Sequence, residues 1–322
     1  MPEGIFNLKI KAMNQKLLNS SMISIDKAHT SLQNMANSFS SLSVIETNMT
    51  PLIYYDPDIK AVLFDIYGTL LISEAGDIGL TALDQGEDRL FTIESLNDKR
   101  EIRFNRIKSI LLERIKAHHE CIKNESTWIQ YPEVDIISLW DEVFQILDFR
   151  EYNADILSTT ALNFEVFSNK VWLMPGIVPL FEFFRGKSFL LGIVSNAQFY
   201  TPLLFEHLLG KSLKELGFEE KFISWSFQVQ CGKPDPRIFK NPLIHLNRMG
   251  IENHEILYVG NDMLNDVVTA SVLGLKTALF AGDRRSLRMR EEDTRVMDIS
   301  PNYIITELNQ LKIILEEGLN EE

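Results

Sequence analysis

"VLFDIYGTLL", residues 62–71, decides the fold. Large apolar residues run without interruption up to Asp65, and Gly68 and Thr69 then break the run. A short, unbroken apolar stretch is the pattern of a parallel strand buried on both faces. This strand ends on a carboxylate, with Tyr67 two residues further on. Three similar runs follow: "FLLGIVSN" (189–196), "EILYVGND" (255–262) and "KTALFAG" (276–282). Helical patterns separate them, in "GIVPLFEFFRGK", "PDPRIFKNPLIHLNRMG" and "DVVTASVLG". Strand alternating with helix predicts a three-layer α/β/α parallel sheet. "YIIT" (303–306) adds a last strand, and "ELNQLKIILEEGL" closes the chain as a helix.

The pattern changes after the first strand. Residues 95–125 are charged and helix-periodic, and "DIISLWDEVFQILDF" and "ADILSTTALNFEVFSNKVW" continue in that style. Residues 76–174 therefore read as a helical insert, within a core made of 58–75 and 175–322. Residues 1–57 are rich in Ser, Asn, Met and Gln, and read as an extension, partly helical or disordered.

Bulk properties narrow the function. The chain has 322 residues, 45% of them hydrophobic, and a formal net charge of −13. That balance disfavours nucleic acid or an anionic membrane as partner, since both need a basic face. It leaves room for a small anionic substrate in one cleft. Cys121 and Cys231 match no metal spacing and read as reduced thiols. No apolar run approaches the roughly 20 residues of a membrane span. A cytoplasmic protein is expected.

In an open parallel sheet, ligands bind at the carboxyl ends of the strands. The first strand ends on Asp65, the second on Ser195-Asn196, and the third on Gly260-Asn261-Asp262, with Asp266 one turn on. Between the last two lies "CGKPDP", with Lys233 ahead of a proline-started helix. One carboxylate, a hydroxyl–amide pair, a lysine and an acidic pair converge on one cleft. A supported carboxylate can attack phosphorus, or a carbon that bears a halide, to form an ester that water then hydrolyses. Each residue alone has a plainer reading: strand-end acids and Ser-Asn pairs are ordinary caps, and a loop lysine is usually solvated.

In order and spacing these pieces resemble the motifs of the haloacid dehalogenase (HAD) superfamily. Asp65-Ile66-Tyr67-Gly68-Thr69 matches the first motif, Ser195 the second, Lys233 the third, and Asp262 with Asp266 the fourth. The resemblance covers residues 60–71 and about 175–285. It implies a Rossmann-like core with an inserted helical cap that closes and excludes water. It further implies Asp65 as nucleophile, with Ser195 and Lys233 holding the anionic group. Mg²⁺ would sit on Asp65, the backbone carbonyl of Tyr67 and a motif-four acid, either Asp262 or Asp266, or on Asn261.

Two departures leave the reaction open. Phosphatases of the family usually carry a second aspartate where this chain has Tyr67, and a phenol with a pKa near 10 is a poor base at neutral pH. Tyrosine there is characteristic of the 2-haloacid dehalogenases, whose halide leaves without a proton. The acids near Asn261 favour Mg²⁺ instead. The dehalogenases also need an arginine near the cap entrance, for which Arg89 and Arg100 are available. The expected function is a Mg²⁺-dependent phosphatase acting on a small phosphate ester. A metal-independent dehalogenase is the alternative, and a catalytically weak binding protein a third. Gln198, Phe199 and Tyr200 line either the cleft or the core. His118 and His119 read as solvated.

Overall fold

The computed structural model describes residues 31–32, 41–74, 89–125 and 129–318. The chain forms two compact units. The larger contains residues 41–74, 118–125, 129–134 and 168–318 of these, and the smaller contains 31–32, 89–117 and 135–167.

The larger unit is built on six strands: β1 (Ala61–Phe64), β6 (Leu190–Ser195), β7 (Phe218–Trp225), β8 (Ile256–Gly260), β9 (Lys276–Phe280) and β10 (Tyr303–Ile305). They pair all-parallel in the order β10-β9-β8-β1-β6-β7. Phe64 is in register with Ile193 of β6 and Val259 of β8. The chain leaves β1 for β6 on one side and returns to β8 on the other. The crevice beyond β1 is therefore the place where such sheets bind ligands.

β1 is apolar at every position because both faces are covered. Val62 and Phe64 pack with Ile177, Leu180, Phe181 and Phe184 of α4 (Ile177–Phe184). The Phe64 ring meets Phe181, Phe184 and Phe218 edge-on at 6.2–6.4 Å. Ala61 and Leu63 face the other way, toward Leu243 and Leu246 of α7 (Lys240–Arg248) and Phe222 of β7. The sheet and its two helical layers are those expected from the alternating runs. β7 was missed, because "FEEKFISW" carries charges at three central positions and lies at the edge of the sheet.

Three expectations about the flanking segments need correction. Residues 1–30 and 33–40 of the extension lie outside the described residues. Residues 41–58 are not a loose tail. Leu52 pairs with Ile304, the Thr47 hydroxyl donates to the Ala281 carbonyl, and Leu42, Val44 and Ile53 pack on the core. The insert is also not all-helical. β3 (Leu90–Glu94) and β4 (Lys99–Arg103) form an antiparallel hairpin, followed by α1 (Phe104–Glu125), α2 (Ile136–Ile146) and α3 (Ala154–Ser168). Alternate residues Phe91, Ile93 and Ile102 are buried. That period-two signal was overridden by the charges around it. Finally, residues 131–133 pair with the loop at 230–232 of the core. His118 and His119 are half-buried rather than solvated, and burial pushes the His119 imidazole down.

Two short strands, β2 (Leu71–Ser73) and β5 (Val171–Leu173), pair antiparallel in the larger unit. Among the described residues no helix is long and apolar enough to cross a membrane.

Asp56 anchors the segment before β1. Its carboxylate accepts hydrogen bonds from Lys276 and Tyr303. Burial alone would raise this carboxyl, but those two donors outweigh it and hold it below its ordinary value. A depressed carboxyl contributes stability above its unfolded pKa, and that contribution is lost as pH falls through the folded one. Asp56→Asn is therefore expected to lower the melting temperature at neutral pH by roughly 3–6 °C. The gap between variant and wild type should narrow as the pH drops below about 4. A gap that stays constant from neutral pH to about pH 3 would contradict this assignment.

Candidate active site

The backbone turn after β1 sets the site. The Asp65 amide still donates to the Val259 carbonyl, at 2.9 Å, so Asp65 continues the β1–β8 ladder. The Ile66 carbonyl then accepts from the amides of Thr69, Leu70 and Leu71, which turns the chain back. Gly68 sits at φ +78°, and a Cβ there would lie 2.6 Å from Ser286 Cβ and 2.7 Å from the Asn261 amide nitrogen. Conformation and space both demand glycine here.

Lys233 lies at the centre. Its ammonium donates to Asp65 Oδ1 at 2.9 Å, to Asp266 Oδ1 at 2.5 Å and to the Tyr258 hydroxyl at 2.8 Å. An ammonium has three protons, and all three have acceptors. Burial alone would strip Lys233 of its charge, but Asp266 and then Asp65 outweigh it and raise its pKa. Burial pushes the Asp266 carboxyl up, and Lys233 pulls it back. Burial, then Asp266 and Asp65, push the Tyr258 phenol far up, so it keeps its proton. That phenol lies 2.7 Å from the Val194 carbonyl, to which it donates. Of Lys233, Asp266 and Asp65, the first two side chains are 2% and 1% exposed, whereas Asp65 is 12% exposed. Asp65 is the one that reaches the cleft.

Several candidates are brought here for other work. Asn196 brackets the Lys233 backbone: its Oδ1 accepts the Lys233 amide at 2.6 Å, and its Nδ2 donates to the Lys233 carbonyl at 3.1 Å. A Cβ on Gly232 would lie 2.9 Å from the Asn196 amide oxygen, so that close approach needs glycine. The buried Ser195 hydroxyl has one long contact, 3.4 Å, to the Asn196 carbonyl. The Thr69 hydroxyl donates to Asn261 Oδ1 at 3.2 Å, and Asn261 Nδ2 donates to the Ser286 carbonyl at 2.6 Å. The Tyr67 hydroxyl lies 3.3 Å from Thr201 Oγ1 on α5 (Tyr200–Leu209). Gln198 and Tyr200 are buried.

Asp262 is turned away from this chemistry. Its Oδ1 accepts the amides of Leu264 and Asn265, capping the helical turn that follows, and Arg290 grips the carboxylate at 2.6 Å. Asp266 Oδ2 accepts the Asp262 amide at 2.9 Å. Both motif-four acids are thus committed to protein partners. Asp65 Oδ2 has no hydrogen-bond partner among the described residues, which also contain no group of three His, Cys, Asp or Glu side chains able to hold a metal. Mg²⁺ typically binds through one or two carboxylates, keeping waters and taking substrate phosphate oxygens. Asp65 supplies one such carboxylate. Asp262 and Asp266 do not join it, and Asn261 offers only a neutral oxygen that already accepts Thr69.

The arginines Arg89 and Arg100 are held within the smaller unit. Arg89 lies over the Phe167 ring and donates to the Phe167 carbonyl. Arg100 lies over Phe149 and donates to the Leu147 carbonyl. Sequence reasoning missed Tyr258, Arg290 and Glu133. Tyr258 had a signal, a lone polar tip within a buried strand. Arg290 and Glu133 had none, because distant loops bring them in.

A family model described as haloacid dehalogenase-like hydrolase matches residues 59–274. No curated relative matches the chain. Solved structures with a similar fold include the HAD-hydrolase YfnB from Bacillus subtilis, at 18% identity over 79% of this chain and 97% of that one, with a TM-score of 0.44. The 2-haloacid dehalogenase from Pseudomonas syringae pv. Tomato DC3000 has 21% identity over 79% and 96%, with a TM-score of 0.48. The HAD phosphatase from Thermococcus onnurineus has 21% identity over 79% and 96%, with a TM-score of 0.43.

Asp266 tests the electrostatic balance. Removing one partner of a buried ion pair strands the other's charge. Asp266→Asn is expected to destabilise the protein by about 3 kcal/mol in urea unfolding. A loss below about 1 kcal/mol would mean that Lys233 does not depend on it.

Proposed function

The chain belongs to the haloacid dehalogenase-like hydrolases, and we propose that Asp65 is its covalent nucleophile toward a small anionic substrate whose leaving group departs without a proton. The observation that carries this reading is the Asp65–Lys233–Asp266 cluster with a tyrosine at position 67. Lys233 pairs with Asp65 Oδ1 at 2.9 Å, and the Asp65 side chain keeps some exposure. Position 67 carries no carboxyl group to shuttle a proton to a departing alkoxide: its phenol lies 3.3 Å from Thr201 Oγ1, and with a pKa near 10 it is a poor base for taking a proton from water at neutral pH.

The first substrate class is a phosphoryl compound with a good leaving group, such as an acyl phosphate or a phosphoric anhydride. Asp65 Oδ2 bonds to phosphorus, and the bond to the leaving oxygen breaks. The leaving group keeps the electron pair and departs as a stable anion. Water then attacks the aspartyl phosphate and the bond from Asp65 Oδ2 to phosphorus breaks; one water proton stays on the released phosphate, the other passes to solvent, and Asp65 is restored as a carboxylate. The Lys233 charge lessens repulsion between Asp65 and the incoming anion, and the Ser195 hydroxyl would donate to it. Asp65 and the Tyr67 carbonyl would hold Mg²⁺, which when bound neutralises phosphoryl charge.

A specific observation favours a second class, the 2-haloacids. Asp262 is taken by Arg290, and Asn261 by Thr69 and Ser286, so among the described residues no second carboxylate is left to support an ion. There Asp65 Oδ2 displaces halide from carbon, and water hydrolyses the aspartyl ester to a 2-hydroxyacid and a proton.

One panel tests both classes: acetyl phosphate, pyrophosphate, a sugar phosphate and 2-chloropropionate, each with Mg²⁺ or EDTA. Phosphate release from the first two, but not from the sugar phosphate, is the expected result. Chloride release that survives EDTA would select the second class instead. Rapid turnover of the sugar phosphate would defeat the leaving-group argument. Asp65→Ala should lower the rate by at least about 10³-fold for any substrate turned over. Tyr67→Asp should bring the sugar phosphate within reach, gaining about 10²-fold from a restored proton donor.

A further inference from the structure

Beside the lysine loop lies a half-buried carboxylate that the strand-end motifs do not contain. Glu133 Oε2 accepts the Ser226 hydroxyl at 2.6 Å. Its Oε1 accepts Gln198 Nε2 at 3.1 Å and the Val134 amide at 2.9 Å. Among the described residues no cation pairs with it. A carboxylate buried on hydrogen bonds alone is costly. Burial pushes this carboxyl up, and Ser226, Val134 and Gln198 pull it back.

We propose that Glu133 is a positioning residue for the Lys233–Asp65 pair, acting through the turn at 195–198 and the loop at 226–233. This rests on the reading of Asp65 as nucleophile. Two routes connect them. In the first, the Ser226 hydroxyl that Glu133 holds also accepts the Ala197 amide, at 2.8 Å. Ala197 follows Asn196, whose amide brackets the Lys233 backbone on both sides. In the second, the Glu133 amide donates to the Gln230 carbonyl at 3.2 Å, and the Gly232 amide donates to the Tyr131 carbonyl at 3.0 Å. Pro132 bridges to Cys231 between them. Gly232 immediately precedes Lys233. Side-chain and backbone contacts from residues 131–134 thus fix both segments that set the lysine. Misplacing a catalytic group by about 1 Å can cost on the order of 10²-fold in rate.

The test uses the full chain with Glu133→Ala, Glu133→Gln and Ser226→Ala. Trace acetylation with acetic anhydride, read at Lys233 by peptide mass spectrometry, reports the position of the lysine without any substrate. Lys233 in the wild type should react slowly, being buried and protonated. Glu133→Ala should raise its labelling rate about tenfold. With a substrate that turns over, kcat should fall about 10–100-fold while KM stays within about threefold. Glu133→Gln should rescue both readouts. Its amide can keep the Oε1 contacts and donate to Ser226, which can turn its own proton to the Ala197 carbonyl 3.1 Å away. Ser226→Ala should behave like Glu133→Ala, and it carries the test if Glu133→Ala does not fold. Unchanged Lys233 labelling in folded Glu133→Ala or Ser226→Ala would overturn the proposal, as would Glu133→Gln as impaired as Glu133→Ala. If the wild type turns over nothing while Lys233 labelling still rises in Glu133→Ala, the reading of Asp65 fails and the positioning role stands.

Discussion

A single buried ammonium constrains everything around it. Lys233 spends its three protons on Asp65, Asp266 and Tyr258, each supplied by a different part of the core. Buried charges persist only when paired and hydrogen-bonded. The sheet order places β1 between β6 and β8, so Asp65, Asp266 and Tyr258 meet above its carboxyl ends. The loop after β7 then delivers Lys233. Gly68 and Gly232 are small because Asn261, Ser286 and Asn196 must approach closely to hold that geometry.

That cluster sets two carboxyl groups against one ammonium. Asp65 is the only member of the three that reaches solvent, and Lys233 leaves one of its oxygens unclaimed. The loop at 283–290 removes the neighbouring polar groups from competition. Arg290 closes on Asp262, and the Ser286 carbonyl takes the Asn261 amide. The nucleophile proposed here thus has a fixed partner and few polar rivals.

Much of this was legible in the sequence. The buried strands read correctly because a run such as "ILYVG" fits only a strand covered on both faces. Asp65, Lys233 and Asp266 were placed together because strand ends in an open sheet share one crevice. What could not be read was the direction in which side chains point. Asn196 and Asp262 lie at the expected positions, but one clamps the Lys233 backbone and the other caps a turn and pairs with Arg290. Those partners sit 28 to 37 residues away in the chain, and no local pattern encodes them. The hairpin at 90–103 was hidden for another reason: its exposed positions are charged, as helix surfaces also are.

As the proposed nucleophile, Asp65 becomes covalently modified during turnover. Quenching the enzyme mid-turnover with sodium borodeuteride reduces an aspartyl phosphate to homoserine, and peptide mass spectrometry locates that change or the added mass of an aspartyl ester. Deuterated homoserine or an ester adduct at position 65, formed only when substrate is present, is the expected result. Turnover with an unmodified Asp65, or with the label on another residue, would contradict it.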